Sequence, residues 1–177
     1  MDARAGTRAP SEICLHSEIR ELRSGEPNLV PRGASDIAIA RINVAESISS
    51  WQGDDARGYD TPVLTSEPVS QMRVKKFGRT TGLTTGVVEA FVNTPTPIPY
   101  SAKHFKARVW FENVWTVKGD GEPFAMPGDS GSVVVTEDNS AVVGLVFAAN
   151  ADWGWIIPIS CIITEFGGLE FVTGHGV

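Results

Sequence analysis

The chain has 177 residues and a formal net charge of -6, with 15 basic and 21 acidic side chains. Its length suits one ordinary domain or two small ones, and an apolar fraction of 42% can supply a core. We expect a soluble globular protein that binds no nucleic acid, because phosphate binding needs an excess of Lys and Arg.

The two cysteines and the short apolar runs argue against a zinc protein, a membrane protein and a secreted protein. Cys14 and Cys161 lie near opposite ends without the spacing of a zinc site, so we predict two reduced, partly buried thiols, with one disulfide as the alternative. No run approaches the ~20 apolar residues of a membrane span. The first twelve residues lack the apolar centre of a signal peptide. These features predict no metal, no membrane contact and a cytoplasmic location.

The first third of the chain contains few strand signals. Residues 11–23 have apolar side chains at helical spacing and predict a short amphipathic helix. Residues 36–42 predict a mostly buried strand that begins with Asp36. Residues 43–69 are polar and interrupted by Gly and Pro, which indicates a connection between two packed units.

The rest of the chain shows repeated strand signals, and with its many glycines and prolines it predicts an all-β protein. Six strands are enough to close a small antiparallel barrel. A short helix is expected over 160–166. The predicted strands are 72–77, 83–92, 104–117, 132–136, 141–149 and 154–158.

A short basic stretch coincides with the first of these strands. It contains Arg73, Lys75, Lys76 and Arg79, interrupted by apolar residues. We interpret it as the exposed face of a strand, with a phosphate or nucleic-acid site as the alternative.

The segment 126–135, Met-Pro-Gly-Asp-Ser-Gly-Ser-Val-Val-Val, carries the clearest chemistry. A serine hydroxyl becomes a useful nucleophile when a sharp turn holds it beside a base and amide donors. The glycines around Ser130 permit such a turn, and the amides of Gly128 and Ser130 can form an oxyanion hole. The same residues can also form an ordinary β-turn. The apolar strands that follow favour the catalytic interpretation.

Three blocks in this order resemble the trypsin-like serine peptidases, in particular their bacterial members. The first is the serine segment with the Gly-Leu-Val-Phe-Ala strand at 144–148 and the Pro-Ile at 158–159. The second, Gly-Arg-Thr-Thr-Gly-Leu-Thr-Thr-Gly at 78–86, begins 52 residues before Ser130. The third, Ser-Asp-Ile-Ala-Ile-Ala-Arg-Ile at 35–42, resembles the strand that carries the triad aspartate.

The resemblance implies a Ser-His-Asp mechanism without any cofactor. Ser130 would attack a peptide carbonyl and Asp36 would orient the histidine. The candidate base is His16, which lies 20 residues before Asp36; the alternative for His16 is a surface residue on the short helix.

The other two histidines are weaker candidates for the catalytic base. His104 begins the predicted strand at 104–117, in which apolar and polar residues alternate. It is expected to point outward from this strand, and the alternative is a contribution to the substrate pocket. His175 is expected in a frayed terminus.

The family pattern also implies a substrate pocket. Phe124 would lie at its base, and Phe147, Ala148 and Ala149 would form its wall. Without an acid at the base, small or apolar side chains should fit better than Arg or Lys. The implied substrate is a polypeptide.

The predicted fold is a chymotrypsin-like antiparallel β-barrel with a short C-terminal helix, in which the second barrel, 70–177, is complete. Residues 34–69 would be a remnant of the first barrel with the linker, preceded by an N-terminal segment at 1–33. An incomplete first barrel implies a dimer or partner that covers it.

Two explanations for the reduced first barrel stay open. Either the native enzyme has a histidine upstream of this chain, or the chain is a catalytically inactive module that binds peptides or protein partners. A purely structural barrel with a chance Gly-Asp-Ser-Gly is the third reading.

Overall fold

The computed structural model describes Ile37 and residues 48–94, 96–102 and 105–174. The helix at 11–23 and most of the strand at 36–42, with His16 and Asp36, therefore lie outside the described residues. The described elements are β1 (Trp51–Gly53), β2 (Gly58–Asp60), β3 (Arg73–Gly78), β4 (Gly82–Val92), β5 (Thr96–Ala102), β6 (Phe105–Phe111), β7 (Val114–Gly119), β8 (Val133–Thr136), β9 (Val142–Ala149), β10 (Gly154–Pro158) and α1 (Ile159–Phe166).

Six strands close an antiparallel barrel, in the order β10-β7-β4-β3-β8-β9. The prediction of an all-β fold with a six-stranded barrel is confirmed. Register shifts interrupt the pairing of β4 with β7, of β8 with β9 and of β10 with β9. Such bulges bend and twist the strands, which a small closed barrel requires.

Two groups of buried side chains form the core, and each fully buried Val, Ile or Phe contributes about 1.5–3 kcal/mol. The barrel cluster fills the interior of the barrel and consists of Val74, Val88, Val117, Phe124, Ala125, Val134, Val143, Val146 and Ile156. The helix cluster lies against α1 and consists of Ile37, Tyr59, Phe111, Val114, Val135, Val142, Phe147, Ile157, Ile159 and Ile162.

The predicted strand at 104–117 is wrong as a single element. The chain turns at Asn113, whose φ of 58° is left-handed, so that Phe105–Phe111 and Val114–Gly119 are separate strands. Only Val114–Gly119 belongs to the barrel. β6 instead pairs with β5 in a two-stranded hairpin that the sequence reading did not include.

The segment 43–69, predicted as a connection, contains the hairpin of β1 and β2. Asp54 shapes its turn, because one carboxylate oxygen accepts hydrogen bonds from the amides of Ala56 at 2.8 Å and Arg57 at 2.7 Å. The Tyr59 hydroxyl donates to the carbonyl of Val133 at 3.4 Å. The Tyr59 contact attaches the hairpin to β8. The domain limits stay a prediction.

The C-terminal helix forms as predicted and packs through Ile159 and Ile162. It ends at Gly167, which has a φ of 59°. Cys161 on this helix is a free and exposed thiol, whereas we expected it to be partly buried. Within the described ranges, no helix has the length and apolar character to cross a membrane.

Candidate functional site

Ser130 lies in the segment 126–132, here called the serine loop, between β7 and β8. Two successive turns shape it: the Asp129 amide donates to the Met126 carbonyl at 3.0 Å, and the Ser132 amide donates to the Asp129 carbonyl at 3.0 Å. The Gly131 amide donates to the carbonyl of Val146 on β9 at 2.7 Å. The loop is therefore tied to the barrel at its serine end.

Two amides of the serine loop remain available for another acceptor. Pro127 has no N–H, and the Met126 amide donates to the side chain of Asp129 at 3.0 Å. The amides of Gly128 and Ser130 donate no hydrogen bond to any residue in the part of the chain that the structure describes. These are the two donors that the sequence assigned to an oxyanion hole.

The loop conformation depends on Gly128. Its φ is 105°, a backbone conformation that side chains disfavour. A Cβ atom at Gly128 would also collide with the Thr80 hydroxyl and lie 2.9 Å from Nη2 of Arg79. The Thr80 hydroxyl itself donates to the Pro127 carbonyl at 3.0 Å. The turn between β3 and β4 thus packs directly against the serine loop.

Asp129, the residue before Ser130, is fully buried, with 0% of its surface exposed. Its Oδ1 accepts from the Thr80 amide at 2.7 Å, and its Oδ2 accepts from the Thr81 hydroxyl at 2.8 Å. The carboxylate therefore points inward, away from solvent, and it links the serine loop to the β3–β4 turn.

Lys76 supplies the opposite charge. Its Nζ lies 3.4 Å from Oδ2 of Asp129, with both side chains 0% exposed, and it donates to the Thr81 hydroxyl at 2.5 Å. The expectation that the basic stretch is an exposed strand face is wrong for Lys76. Since side chains alternate along a strand, Lys76 shares the inward face with Val74, and Asp129 balances its charge.

The pKa values of the pair reflect opposing influences. Burial raises the pKa of Asp129, but hydrogen bonds from Met126, Thr81 and Thr80 and the charge of Lys76 outweigh it and lower this pKa to about 2. Burial lowers the pKa of Lys76, and Asp129 opposes that shift. The carboxylate is consequently ionised at neutral pH.

The Ser130 side chain is exposed at the surface. Its hydroxyl donates to the carbonyl of Phe147 on β9 at 3.2 Å. His16, His104, His175 and Asp36 lie outside the described residues, so the predicted roles of His16 and Asp36 stay predictions.

The residues predicted to form the pocket have different environments. Phe124 is 1% exposed and belongs to the barrel cluster; Cβ atoms at Gly86 and Gly154 would lie 3.0 and 2.9 Å from its ring. Phe147 is buried, with its ring 4.4 Å from that of Phe111. Both alanines of the predicted wall, at 148 and 149, are half-buried on β9.

A surface cleft has a volume of about 330 Å³. Two of its lining residues, Pro123 and Trp153, directly precede Phe124 and Gly154 in the sequence. The sequence reading did not include it. In the described ranges, no group of three or more His, Cys, Asp or Glu side chains forms a metal site. The cleft is lined by Lys118, Gly119, Gly121, Glu122, Pro123, Ala151, Asp152 and Trp153.

Sequence reasoning also missed Lys76 and Thr81. Two signals could have found Lys76: its spacing of two from Val74 on a strand, and the need of a buried Asp129 for a cation. Thr81 follows from neither signal, because its contact with Asp129 joins residues 48 positions apart.

Comparisons with known proteins identify the fold of this chain. No protein-family model matches the chain, and no curated protein matches it. Protease A of Thermobifida fusca superposes with a TM-score of 0.55 at 19% identity, over 72% of this chain and 63% of that one. The Cellulomonas bogoriensis chymotrypsin gives 0.50 at 17%, over 71% and 63%.

A Nocardiopsis protease gives a TM-score of 0.50 at 16% identity, over 70% of this chain and 61% of that one. The chain thus covers less than two thirds of the length of each of these three proteases. At such identities the likeness concerns the fold alone. Together with the closed six-stranded barrel, it establishes that this chain has the chymotrypsin-like fold.

Proposed function

We propose that this protein is a serine endopeptidase that hydrolyses peptide bonds through an acyl-enzyme on Ser130. One observation carries the proposal. In the serine loop, the amides of Gly128 and Ser130 donate no hydrogen bond to a described residue, while the loop's other N–H groups do. Amides held in this way can stabilise an oxyanion beside an exposed serine.

The proposed reaction begins when Ser130 Oγ attacks the carbonyl carbon and transfers its proton to the imidazole of His16, which Asp36 orients. The carbonyl oxygen becomes an oxyanion that the Gly128 and Ser130 amides stabilise. The imidazolium then protonates the leaving amine, and water releases the acyl group by the same steps. Each oxyanion donor is worth about 10²–10³ in rate.

Two contacts support the role of Asp36. Ile37, the next residue in the sequence, is buried in the helix cluster together with Phe147. The carbonyl of Phe147 accepts the Ser130 hydroxyl. Ile37, the sequence neighbour of the proposed Asp36, thus belongs to the same cluster as the residue whose carbonyl accepts the Ser130 hydroxyl.

The substrate is a polypeptide with a small apolar side chain before the cut. Phe124 is almost completely buried between Gly86 and Gly154, so a pocket with Phe124 as its base is shallow. A pocket whose floor is apolar and carries no acidic side chain cannot form an ion pair with a guanidinium or ammonium group.

Labelling with a fluorophosphonate probe tests the proposal, because only a base-activated serine reacts quickly. We expect the wild-type chain to be labelled and Ser130→Ala to lose all labelling. Ser132→Ala is the matched control, because Ser132 lies two residues away in the same loop, and it should be labelled as the wild type is. His16→Ala should slow labelling at least about 10²-fold, and His104→Ala should not.

Each outcome separates the alternatives. Equal labelling of wild type and Ser130→Ala would refute Ser130 as the nucleophile. Unchanged labelling of His16→Ala would assign the base to another group. A folded wild-type chain that reacts with no probe would support the inactive module that binds peptides or partners.

A further inference from the structure

Arg79 places a positive charge at the serine loop. Its side chain is exposed on the turn between β3 and β4. Its Nη2 lies 2.9 Å, and its Nε 3.6 Å, from the position that a Cβ atom on Gly128 would take. The side chain forms no ion pair and no hydrogen bond with any residue in the described ranges. Its guanidinium group is thus free to bind a ligand.

The neighbouring carboxylate of Asp129 does not pair with the guanidinium group of Arg79. Asp129 is buried and paired with Lys76, and it contacts the β3–β4 turn through backbone amides and the Thr81 hydroxyl. Arg79 and Asp129 therefore face different environments, Arg79 solvent and Asp129 the interior. A carboxylate from outside would meet Arg79 without competition from Asp129.

The serine loop is held at both ends by different elements. At its serine end, Ser130 Oγ and the Gly131 amide contact β9. At its other end, Pro127 and Gly128 contact the β3–β4 turn. The predicted pocket wall of Phe147, Ala148 and Ala149 lies on β9. With the side chain before the cut in that pocket, the residues after the cut leave on the other side, past Gly128 and Arg79.

We propose that Arg79 determines specificity by binding an acidic side chain of the substrate within the first three residues after the cut. The inference rests on the proposed function and names a feature of its substrate. An extended peptide advances about 3.3 Å per residue. Gly128, which Arg79 approaches, is only two residues from Ser130, so three substrate residues after the cut are enough to reach Arg79. A guanidinium group pairs with Asp or Glu through two parallel hydrogen bonds.

The experiment uses quenched fluorescent peptides with one sequence before the cut and Glu, Gln or Lys at the first, second or third position after it. At low salt we expect kcat/KM to be about threefold to fivefold higher for Glu than for Gln at one of these positions, and lowest for Lys. Raising the ionic strength to about 0.5 M should reduce this ratio, because salt screens the charges.

Variants separate a charge contact from a structural effect. In Arg79→Gln the Glu-to-Gln ratio should fall to about one, and in Arg79→Glu the Lys peptide should become the better substrate. Arg57→Gln removes an equal charge from the exposed turn before β2 and should keep the wild-type ratio. Because each ratio is measured within one variant, a general loss of activity does not alter it.

The outcomes are distinguishable from failure of the proposed function. Equal kcat/KM for the Glu, Gln and Lys peptides at every one of the three positions overturns the role of Arg79 and leaves the peptidase intact. A preference for Glu that persists in Arg79→Gln overturns it too. Cleavage of no peptide overturns the peptidase and this inference together.

Discussion

Lys76 and Asp129 form an ion pair with no exposed surface, beneath the residue that we propose as the nucleophile. Removing two charges from water costs several kcal/mol per ion, so such a pair adds little net stability. Its consequence is geometric. Asp129 can stay buried only in the inward orientation in which Thr80, Thr81 and Lys76 satisfy it, and this orientation leaves the Gly128 and Ser130 amides without an acceptor.

Acid should weaken the fold through Asp129. Its pKa is lowered to about 2 in the folded chain, so the unfolded chain binds the proton first as pH falls. The stability from this group is complete above about pH 5 and is lost between about pH 5 and 2, and it amounts to about 2 kcal/mol.

Urea unfolding at pH 6, 4 and 3 measures this loss. The matched variant is the double substitution Lys76→Met with Asp129→Asn, which removes both charges and leaves no buried ion unpaired. Other carboxylates with lowered pKa values titrate in both proteins, so the wild type should lose more stability than the variant between pH 6 and 3. Equal losses would contradict the role of Asp129.

The β5–β6 hairpin lies outside the barrel, and within the described ranges its outer edges pair with no further strand. Pro97 and Pro99 on β5 are exposed and pair with Trp110 and Arg108 of β6. A proline fits an antiparallel ladder only where its nitrogen faces away from the partner strand. The outer edge of β5 therefore lacks N–H donors at two positions, which protects it from pairing with another chain.

Restoring these donors should promote self-association. We expect the double substitution Pro97→Thr with Pro99→Thr to increase the weight-average mass with concentration in sedimentation velocity, because β5 could then pair with a second chain. Thr94→Val is the control, since it adds apolar surface two residues before β5 without adding a donor. A double variant with the mass of the wild type at all concentrations would exclude this role for the prolines.

At the scale of the whole molecule, the C-terminal tail connects the helix to the β1–β2 hairpin. Leu169 and Phe171 pack against the helix cluster. Beyond them, Oδ2 of Asp60 accepts hydrogen bonds from the Thr173 hydroxyl at 2.8 Å and the Gly174 amide at 2.6 Å. These contacts join residues more than 110 positions apart.

Asp60→Ala should release the end of this tail. We expect faster amide hydrogen exchange over 171–174, measured by mass spectrometry, because the Gly174 amide loses its acceptor. Asp152→Ala, which removes an exposed carboxylate elsewhere, should leave that exchange unchanged. If Asp60→Ala also exchanges at the wild-type rate, the tail is held by its apolar contacts alone.

Much of this architecture follows from local patterns in the sequence. The alternation of apolar residues predicts β3, β4, β8, β9 and β10 to within a residue or so at each end. The glycines at 128 and 131 mark the sharp turns, because both have a positive φ. The sequence by itself thus determined the all-β class, the barrel and the loop that presents Ser130.

Other features were decided only by tertiary structure. The separation of β6 from β7 depends on a partner strand that prolines obscure in the sequence. The burial of Lys76 requires Asp129, a residue 53 positions away, since only a specific opposite charge makes a buried ammonium tolerable. Periodicity records which face of a strand a side chain occupies, whereas the partner that meets it there depends on how the barrel closes.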